Sequence, residues 1–312
     1  MDALLYFGML ALSLAALLKG SGWFVGAAET MGKAWGVSPF IIGVTIVAFG
    51  TSLPELASSI TAVVLNESSL VAGNVIGSNI TNILLVLGLV AIVAKDVRLE
   101  FRVMDLDIPL LAGSSLLLYF ALYDGQFSRH EAVLFLVALV VFLLNSFKGG
   151  APNPEPKEER IKAGWKPYAI LIASGILVYF GSNYTVLAIQ QLSTIFGIES
   201  EFFALTVIAL GTSLPEVMVS VTAARNNNTA IAVGNVLGSN IFNTYAVMGI
   251  PSFFGTLEIP ASIMEFSLPF MVGVTMVFAI ISVSNKISRW EGVMLVLFYL
   301  FFLAELMRSI LS

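Results

Sequence analysis

Long runs of apolar residues dominate this sequence, and they do not alternate with polar residues as a half-buried strand would. Each run is close to the length of about 20 residues that a helix needs to cross a bilayer. The short alternating segments that are typical of a transmembrane β-barrel are absent from the pattern. The pattern predicts ten membrane-spanning helices, at residues 3–26, 37–64, 69–94, 106–123, 131–148, 167–194, 201–224, 229–252, 264–284 and 290–311.

Composition supports this all-α polytopic membrane fold. Of the 312 residues 58% are hydrophobic and 11% are charged, whereas a soluble domain carries about 25% charged residues. The absence of cysteine excludes disulfides and thiolate-bound metals. The single histidine, His130, lies in a short polar loop and cannot form a zinc site alone. A net charge of -5 gives no indication of a nucleic-acid partner, and we expect neither an enzyme nor a bound cofactor.

Lys and Arg are distributed unevenly between the two sides of the predicted bundle. If residues 149–166 lie in the cytoplasm, twelve Lys and Arg residues fall inside and only Arg129 and Arg308 fall outside, while Lys19 lies within the first span. Short loops that are rich in Lys and Arg stay in the cytoplasm. We therefore predict a cell-membrane protein with both termini extracytoplasmic. The 149–166 segment is rich in Pro, Gly and charge, which predicts a flexible linker.

The sequence repeats itself at an offset of 161. Residues 50–82 and 211–243 are identical at 18 of 33 positions. The chain therefore divides into a first half at 1–148 and a second half at 167–312, with repeated regions at about 38–94 and 200–252. Five spans per half is an odd number, so the second half enters the membrane from the opposite side, which is typical of secondary transporters. Packing alone would retain glycine and apolar residues, whereas the identical positions here include Thr, Ser, Glu and Asn.

Two glutamates, Glu55 and Glu216, lie deep within predicted spans at equivalent positions of the repeats. A carboxylate at the centre of a bilayer costs about 2.5–3.5 kcal/mol on insertion scales, so such a residue indicates a functional site. Two carboxylates that come together repel, and one takes up a proton unless a cation neutralises the pair. Pairing with a base is the alternative, but Lys19 alone lies within a span and cannot serve both. The glutamates therefore predict a cation site.

Each glutamate follows a proline in the sequence GTSLPE. Pro54 and Pro215 clash with the carbonyl four residues earlier, so they should break helices 2 and 7 and free backbone oxygens. Irregular backbone in a membrane is tolerated where it lines a cavity or is buried in protein. Further hydroxyl and amide oxygens accompany the two breaks, at Thr51, Ser52, Ser78, Asn82, Thr212, Ser213, Ser239 and Asn243. Four other asparagines could be ligands or interhelical hydrogen-bonding groups, namely Asn74, Asn79, Asn235 and Asn240.

The predicted ligands are all oxygen atoms, which narrows the choice of ion. Calcium takes about 6–8 oxygens in flexible geometry, whereas magnesium prefers a tight octahedron and keeps its waters. Transition metals favour the His and Cys ligands that the site lacks. Sodium also seeks oxygen ligands and could occupy the hydroxyl-rich flanks of the site. Calcium and sodium are therefore the predicted ions.

The paired GTSLPE and GNVxGSNxxN segments resemble the two α-repeats of the calcium/cation antiporter superfamily, specifically its sodium/calcium exchanger branch. The resemblance covers nearly the whole chain. It implies that Glu55 and Glu216 are the central calcium ligands, together with the backbone carbonyls of Thr51 and Thr212. It implies that sodium uses the same glutamates and further groups, namely Ser52, Ser213, Ser78, Ser239 and the carbonyls of Ala48 and Ala209. Asn82 and Asn243 would line the centre of the site.

The resemblance implies exchange of sodium for calcium by alternating access, and it leaves alternatives open. Proton-coupled calcium exchangers, which would use the same glutamates, usually carry a GNxxE-type motif instead of GTSLPE. Potassium-dependent exchangers, and some prokaryotic relatives, have Asp where this chain has Asn243. A channel would need a continuous pore rather than broken, inverted helices. The 149–166 segment is too short for the regulatory domain of animal exchangers, and we expect the ions and the bilayer to be the only obligatory partners.

Overall fold

A computed structural model describes residues 2–99, 107–148, 164–196 and 213–311, and almost all of these residues lie in helices. Among the described residues, four helices contain a complete π-helical turn, the wider turn that is frequent at functional sites. In chain order the helices are α1 (Asp2–Trp35), α2 (Pro39–Ile42, π turn Gly43–Val47, Ala48–Thr51), α3 (Leu53–Val64), α4 (Ser69–Thr81, π turn Asn82–Val86, Leu87–Ala94), α5 (Ile108–Ala121), α6 (Arg129–Lys148), α7 (Lys166–Phe196), α8 (Leu214–Arg225), α9 (Thr229–Phe242, π turn Asn243–Val247), α10 (π turn Ile263–Ser267, Leu268–Ser282) and α11 (Arg289–Leu311).

Seven stretches of helix in the described residues are long and apolar enough to cross a membrane, and Ile108–Ala121 is a shorter apolar helix. The protein is therefore a helical polytopic membrane protein. The seven stretches are Ala3–Trp35, Pro39–Val64, Ser69–Ala94, Arg129–Ser146, Lys166–Leu192, Ile263–Ser282 and Arg289–Arg308. Each coincides with a predicted span to within several residues at most ends. The predicted span at 201–224 and the predicted linker at 149–166 lie partly outside the described residues.

The first helix is longer than its apolar run. It continues to Trp35, whereas the sequence predicts a span that ends at residue 26. The added turns carry two charged residues, Glu29 and Lys33, which form an ion pair of 3.2 Å between side chains one turn apart. Such pairs support a helix after its hydrophobic stretch has ended.

Two short antiparallel ribbons, which the sequence did not predict, connect the halves of the chain. The strands are β1 (Asp96–Arg98), β2 (Gln126–Phe127), β3 (Leu257–Glu258) and β4 (Lys286–Ser288). β1 pairs with β4, and β2 pairs with β3, so each ribbon takes one strand from each half. In the β1–β4 ribbon Val97 lies opposite Ile287 and both side chains are buried. These strand pairings connect the two halves of the chain by backbone hydrogen bonds outside the helices.

The backbone recurs at the offset of 161 that relates the repeated sequences. Shifting Leu53–Val64 by 161 gives Leu214–Arg225, the bounds of α8, and shifting the π turn Asn82–Val86 gives Asn243–Val247. Sequence identity between the repeats therefore extends to identical local conformation. The match includes the π turns, which are departures from regular helix.

Helix α9 lies at the centre of the molecule, with every residue of 231–249 buried. It packs directly on the backbone of α2, because Gly234 and Gly238 leave no room for a Cβ against Phe40 and Val44 of that helix. On the periphery α1 and α7 pack along each other. A Cβ on Gly181 of α7 would lie 3.0 Å from the backbone nitrogen of Leu17 in α1. The glycines thus bring both pairs of helices into close contact.

Candidate cation site

The two GTSLPE segments form the same break in the helical backbone. Ser52 and Ser213 both have φ -87° and ψ 3°, and a new helix begins at the following leucine in each case. Pro54 and Pro215 occupy the first turn of the new helices, where the missing N–H costs no hydrogen bond. Because glutamate follows each proline, Glu55 and Glu216 lie in the first turns of α3 and α8. The local sequence therefore places a carboxylate directly after each break.

Both glutamate side chains are buried and largely without partners. Glu55 is 0% exposed and Glu216 is 1% exposed. Within the described residues both carboxylate oxygens of Glu55, and Oε2 of Glu216, have no hydrogen-bond partner. Lys19, the base that the sequence offered as a partner, has an exposed side chain on α1 and so does not neutralise them. Buried carboxylates require a compensating charge, and a bound cation can supply it.

The fourth carboxylate oxygen, Oε1 of Glu216, accepts a hydrogen bond from the other half of the chain. Ser52 donates its hydroxyl hydrogen to Oε1 of Glu216 over 3.3 Å. The equivalent hydroxyl, on Ser213, is buried and has no partner in the described part of the chain. The two glutamates also lie close enough for their charges to interact. The carboxylates thus form one centre with unequal hydrogen bonding.

Two asparagines place further unpartnered polar atoms in the same region. Asn82 and Asn243 are the first residues of equivalent π turns, and both are 0% exposed. Neither the amide oxygen nor the amide nitrogen of either side chain has a partner among the described residues. Helix α8, which carries Glu216, packs on the π turn of Asn82, and α3, which carries Glu55, packs on that of Asn243. Each glutamate helix therefore meets the asparagine turn of the other half.

The hydroxyls of Thr51 and Ser239 connect α2 with α9. Thr51 Oγ1 lies 3.1 Å from Oδ1 of Asn235 and 3.4 Å from Oγ of Ser239. The carbonyl of Ala48, a predicted sodium ligand, accepts hydrogen bonds from the backbone N–H of Ser52 and from Thr51 Oγ1. Ser78 is buried on α4. The predicted ligands Thr212 and Ala209 lie outside the described residues.

A narrow void lies between the two breaks and the peripheral pair of helices. It measures about 10 Å³, and its lining includes Phe24 of α1, Val178 of α7, Thr51 and both prolines. Helices α1 and α7 therefore cover the breaks from one side. The part of the chain that the structure describes holds no cluster of three His, Cys, Asp or Glu residues. Beside the two carboxylates, the described residues of this region offer carbonyl, hydroxyl and amide oxygens, which are ligands that calcium and sodium accept.

The sodium/calcium exchanger protein family matches residues 5–148 and 166–307, which is most of both halves. The chain belongs to the sodium/calcium exchanger family. Within the calcium/cation antiporter superfamily it lies in the sodium/calcium exchanger branch. The unmatched residues between the two matched segments fall within the predicted 149–166 linker. Membership makes this chain an antiporter of the calcium and sodium transport class, located in a membrane.

Several related proteins align with this chain over nearly its whole length. The sodium/calcium exchanger MaX1 of Methanosarcina acetivorans is 34% identical, over 96% of this chain and 98% of its own length. The inner membrane protein YrbG of Escherichia coli is 32% identical, over 97% of each chain. A solved structure of the sodium–calcium exchanger NCX_Mj, soaked with 2.5 mM Na⁺ and 10 mM Sr²⁺, is 30% identical and superposes with a TM-score of 0.85, over 97% of this chain and 99% of that one. Two of these relatives are sodium/calcium exchangers, and the third is an inner membrane protein.

The sequence analysis did not identify two serines that accept hydrogen bonds from Asn74 and Asn235. Ser59 and Ser220 lie one helical turn after Glu55 and Glu216, and both are buried. Asn74 donates to Oγ of Ser59 over 3.0 Å, and Asn235 donates to Oγ of Ser220 over 2.9 Å. Both serines are identical between the repeats, which was the available signal. The structure assigns Asn74 and Asn235 to interhelical hydrogen bonds, one of the two roles that their sequence allowed.

Proposed function

We propose that this chain exchanges sodium for calcium across the membrane by alternating access, with Glu55 and Glu216 as ligands that the two ions share. One observation carries the proposal: two fully buried carboxylates from different halves of the chain share one centre, while Lys19 lies exposed on the surface of α1. Such a centre is stable when cations occupy it. Family membership supports cation exchange as the activity.

The proposed architecture is ten spans in two inverted five-helix halves, 1–148 and 167–312, with 149–166 as a cytoplasmic linker. Coincident helix bounds at an offset of 161 support the repeat. The odd number of spans in each half requires inversion, and the excess of Lys and Arg on one side supports extracytoplasmic termini. This arrangement puts the two breaks near the midplane, where repeats of other transporters bind substrate.

The proposed calcium ligands are the carboxylates of Glu55 and Glu216 and the backbone carbonyls of Thr51 and Thr212. Sodium would use the same carboxylates with the remaining groups, which are Ser52, Ser213, Ser78, Ser239, and the carbonyls of Ala48 and Ala209. The bond from Ser52 to Glu216 supports a role for this hydroxyl at the carboxylate. Asn82 and Asn243 would line the centre, which their four unpartnered amide atoms support. Calcium and sodium then compete, because neither can bind without the shared carboxylates.

Movement of α1 and α7 against the rest of the bundle would open the site to alternate sides. The two helices pack along each other through Gly20 and Gly181, so they can move as a pair. They also cover the breaks at the void beside Thr51. Calcium would leave as sodium loads from the opposite side, so that an inward sodium gradient drives calcium out.

Proton-coupled and potassium-dependent exchange are the competing functions. A proton-coupled exchanger would use the same glutamates, so the geometry of the carboxylates agrees with either mechanism. Asn243 favours independence from potassium, because the position supplies an amide where potassium-dependent exchangers have a third carboxylate. The GTSLPE motif favours sodium over proton coupling.

Uptake of calcium-45 into sodium-loaded proteoliposomes tests the proposal. Uptake by the intact protein should require internal sodium, and it should fall to background in Glu55→Gln and in Glu216→Gln. Each substitution keeps the size of the side chain and removes its charge. Uptake that ignores sodium but follows a pH gradient would assign proton coupling, and undiminished uptake in either variant would disprove the shared site. Adding external potassium to the same assay separates the potassium-dependent alternative.

A further inference from the structure

A chain of buried hydrogen bonds connects Thr51 with the helix that carries Glu216. Thr51 Oγ1 lies 3.1 Å from Oδ1 of Asn235, and Nδ2 of Asn235 donates to Oγ of Ser220 over 2.9 Å. Ser220 lies one turn after Glu216 on α8. Thr51 is 2% exposed, and both Asn235 and Ser220 are 0% exposed, so water does not compete for these bonds. Three helices, α2, α9 and α8, are joined at one point.

An amide is suited to the middle position of this chain. It accepts a hydrogen bond at its oxygen and donates at its nitrogen, so Asn235 can bridge two hydroxyls on helices that do not share a backbone hydrogen bond. Leaving either end unpaired at this depth would cost about 1–3 kcal/mol. The two hydrogen bonds of Asn235 therefore favour a single distance between Thr51 and α8, the helix that carries Glu216.

The hydrogen-bonded bridge through Asn235 ends at Thr51, whose backbone carbonyl is a proposed calcium ligand. Thr51 is the last residue before the break at Ser52, where regular helical hydrogen bonding no longer defines the backbone. Groups that hold a ligand from outside the site commonly change metal affinity by about 10–100-fold when they are removed. We propose that Asn235 and Ser220 are positioning residues that hold the carbonyl of Thr51 at the distance from Glu216 that calcium requires. This inference rests on the proposed function of the site.

The other half of the chain repeats part of the arrangement. Asn74 donates to Oγ of Ser59 over 3.0 Å and also to the backbone oxygen of Glu55 over 3.2 Å. Shifting Ser59 and Asn74 by 161 gives Ser220 and Asn235, so the same bond occurs in both halves. Asn74 is half-buried whereas Asn235 is fully buried, so the second half offers the sharper test. Interhelical packing alone would not require the same donor and acceptor in both halves.

A double-mutant cycle on calcium binding tests the inference. The variants are Thr51→Val, Asn235→Ala and their combination, purified in detergent and titrated with calcium in sodium-free buffer by calorimetry. Each single substitution should weaken calcium binding about tenfold, and the combination should weaken it by the same factor rather than about a hundredfold, because either change alone releases Thr51. Thr51→Ser, which keeps the hydroxyl, should restore most of the affinity.

Thr61→Val is the matched control, because Thr61 is exposed and its hydroxyl donates to the backbone oxygen of Ala57 in the same helix. It should leave calcium affinity unchanged. Ser220→Ala removes only the acceptor, and it replaces Asn235→Ala in the cycle if that variant is not monodisperse. A hundredfold loss in the combined variant, or lowered melting temperatures without a change in affinity, would overturn the positioning role. Failure of the wild-type protein to bind calcium would instead overturn the proposed function, and the inference with it.

Discussion

Ser52 donates a hydrogen bond to Oε1 of Glu216 over 3.3 Å, which links the break of the first half to the carboxylate of the second. The equivalent residue, Ser213, has the same backbone dihedral angles, yet its buried hydroxyl makes no hydrogen bond within the described residues. Both carboxylate oxygens of Glu55 are likewise without a partner in the part of the chain that the structure describes. The repeats therefore share their backbone but differ in side-chain hydrogen bonding, as expected for a transporter that is not symmetric about its site in any one state.

Removing the two serine hydroxyls should have unequal effects on the ion-free protein. Ser52→Ala deletes a hydrogen bond to a buried carboxylate, a type of bond worth about 1.5–3 kcal/mol, so it should lower the melting temperature. Ser213→Ala deletes a buried hydroxyl for which the described residues provide no partner, so its effect should be close to zero or stabilising. The measurement is thermal unfolding in detergent, in choline chloride with a calcium chelator.

Ser213→Ala is the matched control for Ser52→Ala, because the substitution, the backbone angles and the burial are the same. Equal melting temperatures, or a larger decrease for Ser213→Ala, would show that the difference in hydrogen bonding does not persist in solution. Saturating sodium should reduce the difference in melting temperature between the variants if both hydroxyls become sodium ligands. Each substitution then removes an interaction with the bound ion.

The helices were predictable because a bilayer requires long apolar runs. Such runs can be recognised in the sequence without knowledge of tertiary contacts. The last turns of α1 were not predictable, since the charged residues Glu29 and Lys33 interrupt the apolar run while the helix continues. The ribbons were not predictable either. Val97 and Ile287 are distant in sequence and belong to segments of three residues, and local periodicity does not report such pairing.

The candidate site was predictable in its residues but not in its connections. Glu55 and Glu216 could be identified because a charge within an apolar span requires explanation. The π turns that begin at Asn82 and Asn243 leave no trace in the hydrophobic pattern, since one wider turn barely changes the period. The bond from Asn235 to Ser220 depends on how α8 and α9 pack, although the identity of Ser220 with Ser59 in the repeat indicated a shared role.

Inversion of the two halves predicts opposite accessibility for two equivalent loop residues. Leu65 and Asn226 are related by the offset of 161, both are exposed, and both directly follow their helices. The natural chain contains no cysteine, so Leu65→Cys and Asn226→Cys each introduce a single thiol. In intact cells a membrane-impermeant maleimide should label Leu65→Cys, and it should label Asn226→Cys only after the membrane is permeabilised.

Labelling of the permeabilised cells is the internal control, because both thiols must then react equally if both are exposed. Labelling of both variants in intact cells would contradict the inverted topology. Labelling of Asn226→Cys alone would keep the inversion but reverse the orientation, placing the termini in the cytoplasm. The pair therefore tests the repeat and the orientation separately.

A third carboxylate at the centre should make calcium transport sensitive to pH. Asn243 is fully buried, neither of its amide atoms has a partner among the residues that the structure describes, and its π turn packs on the helix of Glu55. In Asn243→Asp the new carboxyl group is neutral when protonated, and it then resembles the natural amide. As the pH rises it ionises beside two other carboxylates, and this state is unfavourable unless an additional cation binds.

Calcium uptake by Asn243→Asp should therefore approach that of the wild type at low pH and depart from it as the pH rises. Adding potassium at high pH should recover part of the loss if a larger monovalent cation can neutralise the third charge. Asn243→Leu, which removes the polar group without adding charge, is the control and should show no new pH dependence. A wild-type pH profile in Asn243→Asp would place this side chain away from the two glutamates, since an added charge next to them cannot be without electrostatic consequence.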